Sequence, residues 1–382
     1  MPATGQSVYR RLHRRQIAVC SVSCQHAASP ILTIHFFKRV MNSKQPLPPG
    51  PLVIDVDGLI LTAEDRELIA HPLTGGLVLF ARNFHDRRQL TDLTRQIRET
   101  RNGQILICVD QEGGRVQRFK DGFSLIPPMR LFGEHYDTEP GAAVSKLTEV
   151  ATLLAWELRE CDIDFSFAPV ADLDRDLCPA IGNRALHPTA AGVRALATAV
   201  IDGFAAAGCS NVIKHFPGHG SVDVDTHKDF ARDHRSFAEI EQTDMQTFAL
   251  LKDKATAVMP AHVIFNQVDE LPASLSPVWQ SEILRGKLQF QGAIISDDLS
   301  MSAISKAMPQ ADAAAKAIAA GSDLALICNE REAAAAAFDH PDILVGSDDR
   351  INRRLSMAAR RVAAPKDSTL AGARRTISSM VC

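Results

Sequence analysis

The sequence has no long apolar run and no strong charge bias. Across its 382 residues, no apolar stretch approaches the ~18 residues that a membrane-spanning helix needs. The net charge of −3 gives no basis for a nucleic-acid partner, because nucleic-acid binding depends on an excess of Lys and Arg. We therefore expect a protein that binds neither a membrane nor a nucleic acid. The oligomeric state is left open.

The eight cysteines show no CxxC spacing, so neither a zinc site nor a dithiol redox motif is indicated. Several of them, such as Cys108, Cys161 and Cys328, lie in or beside apolar segments, where a small buried thiol is the usual outcome. This pattern predicts a reducing compartment, and we expect a cytoplasmic protein.

The first fifty residues differ from the rest of the chain, since they contain seven Lys or Arg and no Asp or Glu. The basic run 9–15 precedes a short apolar stretch and resembles a poor signal or transit peptide. The preferred interpretation is that translation starts at Met41, because a globular pattern begins only after the proline-rich segment 46–50. We therefore predict a leader over 1–50, outside the fold, and one domain with C-terminal helices over 51–382.

From residue 51 onward, short apolar runs alternate with amphipathic stretches. Eight runs are candidate strands, and six stretches are candidate helices, two of which are followed by a helix-ending glycine, Gly208 and Gly321. The strands are 52–56, 76–80, 105–109, 165–170, 211–214, 257–260, 293–296 and 324–327. The helices are 87–101, 142–161, 190–207, 237–254, 277–288 and 310–320. This alternation favours a single (β/α)8 TIM-type barrel over an open doubly wound sheet.

Polar side chains with catalytic potential follow six of these candidate strands. Because the active sites of (β/α)8 barrels lie at the C-terminal ends of the strands, we expect these residues to meet on one face. They are Asp110, Asp172, Lys214 with His215, His262, Asp297 and Asn329.

The segment 214–227 concentrates three histidines, two aspartates and a lysine, with Gly218 and Gly220 between them. Glycine frees the backbone, so the segment is predicted to be a loop that moves or approaches a ligand closely. Within it, Asp225 can orient His227 and raise the basicity of its ring, although in isolation this spacing is typical of a solvated turn. A metal site built from His215, His219, Asp223, Asp225 and His227 is a rival interpretation.

Two further segments carry carboxylates directly after apolar runs. In 109–118, Asp110 can accept from vicinal hydroxyls and Arg118 can donate a planar fork to a carbonyl or an anion, although the two glycines also suit a simple turn. In 294–301, Asp297 or Asp298 can serve as a nucleophile or charge stabiliser, while the other caps the following helix.

Together these motifs resemble the β-N-acetylglucosaminidases of glycoside hydrolase family 3, over roughly residues 51 to 340. The resemblance rests on VDQEGGRVQRF at 109–119, KHFPGHG at 214–220, Asp225-Thr226-His227 and SDDLSM at 296–301. Thr226 replaces a more usual Ser, and the basic leader has no counterpart in the family. The chain is also too short to hold the second domain of comparable size that many members carry.

The resemblance implies a retaining exo-β-N-acetylglucosaminidase that needs no metal or other cofactor and acts on short glycans such as peptidoglycan fragments. Asp297 is then the nucleophile, His227 the general acid/base and Asp225 the residue that orients it. The residues that would bind the sugar are Asp110, Arg118, Arg184, Lys214 and His215. With only two Trp and two Tyr, the chain offers few stacking platforms for a long polysaccharide. The alternatives are a metal-dependent barrel hydrolase, a phosphorolytic variant and a non-catalytic sugar-binding barrel.

Overall fold

Eight parallel strands close into a barrel in a computed structural model that describes residues 47–101, 105–222 and 231–381. Around the barrel the strand order is β1, β12, β11, β9, β7, β6, β3 and β2, and every neighbouring pair is parallel. The barrel strands are β1 (Leu52–Asp55), β2 (Thr74–Leu79), β3 (Leu106–Val109), β6 (Phe165–Ser166), β7 (Ser210–Phe216), β9 (Ala257–Pro260), β11 (Ala293–Asp298) and β12 (Leu324–Leu326). The predicted single (β/α)8 barrel is confirmed, and each of the eight candidate strands supplies one barrel strand.

Among the described residues, four short strands lie outside the barrel. They form two small sheets, an antiparallel hairpin of β4 (Gln111–Gly113) with β5 (Val116–Gln117), and a parallel pair of β8 (Ala231–Asp233) with β10 (Val263–Phe265). The hairpin directly follows β3, so it sits at the end of the barrel where the strand carboxyl termini meet.

Helices surround the barrel and present their apolar faces to it. In the helix Arg87–Thr100, the side chain of Asp86 caps the first turn by accepting from the backbone N–H of Gln89 at 2.8 Å. Its buried residues Leu90, Leu93 and Ile97 recur at helical spacing and therefore form one face. The helices, of which α8 is a π-helix, are α1 (Ala63–Ala70), α2 (Arg87–Thr100), α3 (Met129–Thr138), α4 (Pro140–Arg159), α5 (Ala190–Ala206), α6 (Phe237–Gln242), α7 (Met245–Leu251), α8 (Val278–Lys287), α9 (Ser302–Ser305), α10 (Gln310–Ala320), α11 (Arg331–Phe338), α12 (Asp348–Ser356) and α13 (Asp367–Val381).

The single helix predicted over 237–254 is wrong, because the chain breaks between α6 and α7. Thr243 leaves the helical conformation, and its hydroxyl donates to the carbonyl oxygen of Glu239. The next residue, Asp244, is buried and accepts hydrogen bonds from Arg175 and Arg235. These long-range contacts hold the break, and apolar periodicity does not report them.

The barrel strands are buried on both faces, which explains why they are apolar runs instead of alternating patterns. Leu52, Ile107, Ile213 and Ile294 have no exposed surface. At the helix ends, Gly208 and Gly321 adopt φ angles of 73° and 137°, so the prediction of glycine-terminated helices holds.

The predicted leader lies outside the described residues, apart from 47–50, and its assignment stays a prediction. Along the part of the chain that the structure describes, every helix is too short or too polar to cross a bilayer.

Candidate active site

The first part of the site is the hairpin that follows β3, which carries Asp110 and Glu112. Its base is fixed by Ser166 of the neighbouring strand, whose hydroxyl accepts from the backbone N–H of Gln111 at 3.0 Å and donates to its carbonyl at 2.9 Å. The side-chain oxygen of Gln111 accepts from the backbone N–H groups of Arg118 and Phe119. The hairpin is therefore anchored at both ends, and so are Asp110 and Arg118.

Glycine is required at the tip of this hairpin. Gly113 has a φ of 108°, and a Cβ there would lie 2.8 Å from Cγ2 of Ile126. An L-residue would therefore be both strained and crowded at this position. The two glycines that also suited a simple turn do form one, and the turn directs the carboxylates of Asp110 and Glu112 toward β7.

Lys214, in β7, joins these two carboxylates. Its Nζ donates to Asp110 Oδ1 at 3.1 Å and lies 2.6 Å from Glu112 Oε1, with only 4% of its side chain exposed. Arg118 Nη2 pairs with the other oxygen of Asp110 at 3.2 Å. Arg184 completes this network of ion pairs, because its Nε and Nη2 each donate to Glu112 at 2.8 Å.

The network holds both carboxylates in the charged form. Burial by itself raises the pKa of Asp110 and Glu112, but the neighbouring cations outweigh it and lower both pKa values. For Asp110 these cations are Lys214 and Arg118, and for Glu112 they are Arg184 and Lys214. An anionic Asp110 can only accept hydrogen bonds, which suits it to a substrate that offers hydroxyl donors.

A second buried cluster is centred on Asp172, in the loop that follows β6. The side chain of Asp172 has no exposed surface and accepts from the ring Nδ1–H of His215 at 2.7 Å. It also accepts from the backbone N–H groups of His215 at 3.1 Å and His219 at 2.7 Å. His215 is thereby held from two sides, immediately after Lys214.

The adjacent acids Asp297 and Asp298 end β11, and both are partly exposed. Neither caps a helix, so that part of the expectation is wrong: α9 begins after Met301, without a side-chain cap. Asp298 instead accepts from the backbone N–H groups of Ser300 at 3.0 Å and Cys328 at 3.1 Å. Because β11 continues through Asp298 before the chain turns, this carboxylate fixes the turn and the start of the β12 loop.

The two acids differ in their electrostatics. Burial raises the pKa of Asp298 to about 7, and the neighbouring Asp297 contributes to the rise. In its protonated form, Asp298 does not repel an ionised Asp297, and a nucleophilic carboxylate must be ionised.

These groups line one cavity of 310 Å³ at the C-terminal ends of the strands. Aromatic rings of Phe80 and Phe167 lie among its apolar walls. The polar residues that line it are Asp110, Arg118, Lys214, Asp297, Asp298 and Asn329. A cavity of this size with ionised acceptors, cationic donors and apolar walls is suited to a small polar ring.

Four of the predicted site residues, Asp110, Arg118, Lys214 and Asp297, therefore meet in one place. His215 lies beside them in sequence with its ring bound to Asp172. Arg184 and His215 both lie beside the cavity lining, with side chains 9% and 8% exposed, and the Arg184 guanidinium is bound to Glu112 and to the carbonyl oxygen of Ala180.

Asp225 and His227 lie outside the described residues, and so does Asp223. The chain that leads to them is described as far as Val222. In it, Gly220 allows a close approach, since a Cβ at this position would lie 2.1 Å from the carbonyl oxygen of Leu173. This glycine therefore allows packing against the backbone of Leu173, whereas the predicted motion or close approach to a ligand stays a prediction.

The proposed metal ligands that are described are already engaged. His215 Nδ1 donates to Asp172, and His219 Nδ1 lies 3.3 Å from the sulfur of Cys178. The described residues contain no cluster of three or more His, Cys, Asp or Glu arranged to hold a metal ion.

Sequence reasoning missed Glu112 as a functional residue, although it lies in a motif that was singled out. The available signal was a second carboxylate two residues after Asp110, on the same face of the hairpin. Its partners, Arg184 and Lys214, are distant in sequence, so the pairing could not be inferred from spacing.

Comparison with known proteins identifies the family. The profile described as "Glycosyl hydrolase family 3 N terminal domain" matches residues 52–364. A protein named "Beta-hexosaminidase" from Chromobacterium violaceum is 47% identical over 289 residues, which are 75% of this chain and 81% of that protein.

Solved structures give the same result. Native NagZ from Neisseria gonorrhoeae superimposes with a TM-score of 0.82 at 36% identity, covering 88% of this chain and 99% of that one. The same protein in complex with N-trifluoroacetyl-D-glucosamine gives a TM-score of 0.81 at 36% identity, covering 87% and 98% of the two chains. The family expected from the motifs is confirmed: this chain belongs to glycosyl hydrolase family 3 and is a glycoside hydrolase.

Proposed function

We propose that the protein is a retaining exo-β-N-acetylglucosaminidase that releases terminal N-acetylglucosamine from short glycans such as peptidoglycan fragments. The observation that carries the proposal is the meeting of Asp297 with Asp110, Arg118 and Lys214 around one cavity. The solved relative that binds N-trifluoroacetyl-D-glucosamine supports an N-acylated glucosamine as the sugar.

In this proposal, Asp110, Arg118 and Lys214 bind the sugar ring through its hydroxyls. Asp110 accepts hydrogen bonds, while the side chains of Arg118 and Lys214 donate them. His215 contributes through its Nε2, because Asp172 occupies its Nδ1. Arg184 is the fifth sugar-binding residue that the motif implies, and it also holds Glu112 against Lys214.

Catalysis proceeds in two displacements. The carboxylate of Asp297 attacks the anomeric carbon as the bond to the leaving oxygen breaks, and that oxygen takes a proton from His227. Water then attacks the anomeric carbon, gives its proton to His227 and releases Asp297 as a carboxylate. Two inversions leave the anomeric configuration unchanged.

The assignment of His227 as acid/base and Asp225 as its orienting partner rests on the sequence motif. Histidine is suited to the double role, because its ordinary pKa lies close to neutrality. It would replace the second carboxylate that retaining glycosidases usually employ.

The cavity dimensions favour exo action on a short substrate. Its 310 Å³ accommodates one sugar ring, and its lining residues come from the ends of several barrel strands and the loops after them. We place the reaction in the cytoplasm. The buried thiols of Cys108, Cys161, Cys209 and Cys328 support this location, because such thiols are typical of a reducing compartment.

The test is turnover of a chromogenic β-N-acetylglucosaminide beside the matching β-glucoside, with NMR detection of the first-formed anomer. We expect turnover of the N-acetylated substrate and initial release of the β-anomer. An α-anomer would exclude a retaining mechanism, and a preference for the glucoside would overturn the substrate assignment.

The alternative reactions are separated in the same assay. Added phosphate should leave free N-acetylglucosamine as the product, whereas formation of a sugar 1-phosphate would establish phosphorolysis. Loss of activity with a chelator, restored by added metal, would support a metal-dependent hydrolase. If no glycoside were turned over, a non-catalytic sugar-binding barrel would be the remaining interpretation.

A further inference from the structure

We propose that Asp172 is a positioning residue that holds His215 in a single tautomer and ties it to the backbone of His219. The inference rests on the proposed function, since it assigns a task to His215 in sugar binding. It concerns a residue that contributes nothing directly to the cavity wall.

Both carboxylate oxygens of Asp172 accept hydrogen bonds. Its carboxylate accepts from the ring and the backbone of His215 and from the backbone of His219, at distances of 2.7 to 3.2 Å. All of these donors are buried, and the Asp172 side chain has no exposed surface. A buried carboxylate with this many donors is stable only in the charged form.

The charge state follows from that environment. Burial raises the pKa of Asp172, but His215 and the backbone N–H of His219 lower it further than burial raises it. Asp172 therefore remains an acceptor at neutral pH.

The consequence for His215 is a fixed tautomer. Because Nδ1 donates to an anionic acceptor at 2.7 Å, a neutral His215 must leave Nε2 without a proton. Nε2 then accepts from a substrate hydroxyl. If the proton were on Nε2 instead, Nε2 would be a donor and could not accept a hydrogen bond from the substrate hydroxyl.

Asp172 also binds the backbone of His219. One oxygen of Asp172 accepts from His219, and the chain between His215 and His219 is buried. The same side chain therefore fixes the ring that would bind the sugar and the backbone four residues later. A displacement of the His219 backbone would therefore shift the Asp172 carboxylate and, with it, the His215 ring.

The discriminating variant is Asp172→Asn, which keeps the size of the side chain. The amide can still accept from His219 through Oδ1, but its Nδ2 then faces His215 Nδ1 and donates to it. This forces Nδ1 to become the acceptor and moves the ring proton to Nε2. Asp174→Asn is the matched control, because Asp174 lies in the same loop and pairs instead with Arg130 at 2.9 Å.

The kinetic test is a double-mutant cycle with His215→Ala. We expect Asp172→Asn alone to lower kcat/KM by roughly 10- to 100-fold, as is usual for a residue that orients a functional histidine. In the His215→Ala background, the same change should cost about twofold or less, because the group that it positions is gone. Full additivity of the two losses would overturn the proposal.

The structural test uses ¹⁵N NMR of histidine-labelled protein. At a pH high enough for the ring to be neutral, His215 should carry its proton on Nδ1 in the wild type and on Nε2 in Asp172→Asn, while Asp174→Asn should resemble the wild type. A wild-type His215 protonated on Nε2 would overturn the proposal without any variant, even if Asp172→Asn does not fold. Absence of wild-type turnover would instead refute the proposed function, and the tautomer measurement would still decide this inference.

Discussion

Arg184 donates from Nε and Nη2 to the two carboxylate oxygens of Glu112, at 2.8 Å each, and both side chains are almost fully buried. Glu112 in turn contacts Lys214 at 2.6 Å. The Arg184–Glu112 pair therefore supports Lys214, which lines the cavity. Glu112 thus has a structural role that differs from direct contact with the sugar.

Replacing Glu112 by Gln should destabilise the fold. Two buried cations, Arg184 and Lys214, would lose their shared anionic partner, and breaking a buried ion pair on one side costs about 3–5 kcal/mol. Chemical denaturation measures the loss. Glu160→Gln is the control, because Glu160 pairs with Arg87 at an exposed site, where an ion pair is worth only about 0–1 kcal/mol. Equal losses in the two variants would show that the Glu112 network does not stabilise the barrel.

Asp297→Ala should abolish turnover, whereas Asp298→Ala should retain it, provided that the protein folds. The physical reason is that only an ionised carboxylate can form the glycosyl-enzyme, and Asp298 is engaged with the backbone of Ser300 and Cys328. Steady-state kinetics on the chromogenic substrate measures both, with circular dichroism as the check on folding. Reversed phenotypes would mean that the roles of the two acids are exchanged.

Replacement of His227 by Ala should slow the reaction by roughly 10²- to 10⁴-fold, the usual contribution of a general acid/base. Substrates with good leaving groups should lose less, because they need little protonation of the departing oxygen. A series of aryl glycosides with different leaving-group acidity measures this dependence. A loss that is uniform across the series would point to a binding role for His227.

The contribution of Asp298 to the stability of the protein should fall as pH rises from about 4 toward 7. Its pKa of about 7 in the folded chain lies above the ordinary aspartate value of roughly 3.9 that holds in the unfolded chain. Between these two values the folded state holds a proton that the unfolded state has lost, so the free energy of unfolding declines as pH rises.

Asp298→Asn tests this dependence, since the amide does not titrate. Between about pH 5 and about pH 7, the free energy of unfolding should change less favourably with rising pH in the wild type than in the variant. The difference between the two changes reports Asp298 together with its coupling to Asp297. Identical slopes would contradict the raised pKa.

The fold was predictable because its determinants are local. Parallel barrel strands are buried on both faces, so β7 and β11 stand out as apolar runs, and polar residues at their ends were expected to converge. The break between α6 and α7 was not predictable, because it depends on Arg175 and Arg235 reaching Asp244 from elsewhere in the chain.

In the site, too, some residues could be predicted from local sequence and others depend on distant contacts. Asp110, Lys214 and Asp297 could be placed from their positions at strand ends. The support that Glu112 and Asp172 provide depends on which distant side chain fills each buried space, and an alternation of apolar and polar residues does not encode that choice.

A chain that starts at Met41 should fold and turn over N-acetylglucosaminide like the full chain. The sequence of residues 1–40 contains no Asp or Glu and no recognisable pattern of a strand and helix unit, while β1 begins at Leu52 and the family match at residue 52. Their removal should therefore expose little of the core. Thermal denaturation and steady-state kinetics of the two chains provide the measurement. Insolubility of the shorter chain, or loss of its activity, would show that the leader packs against the barrel, and would exclude Met41 as the start of the functional protein.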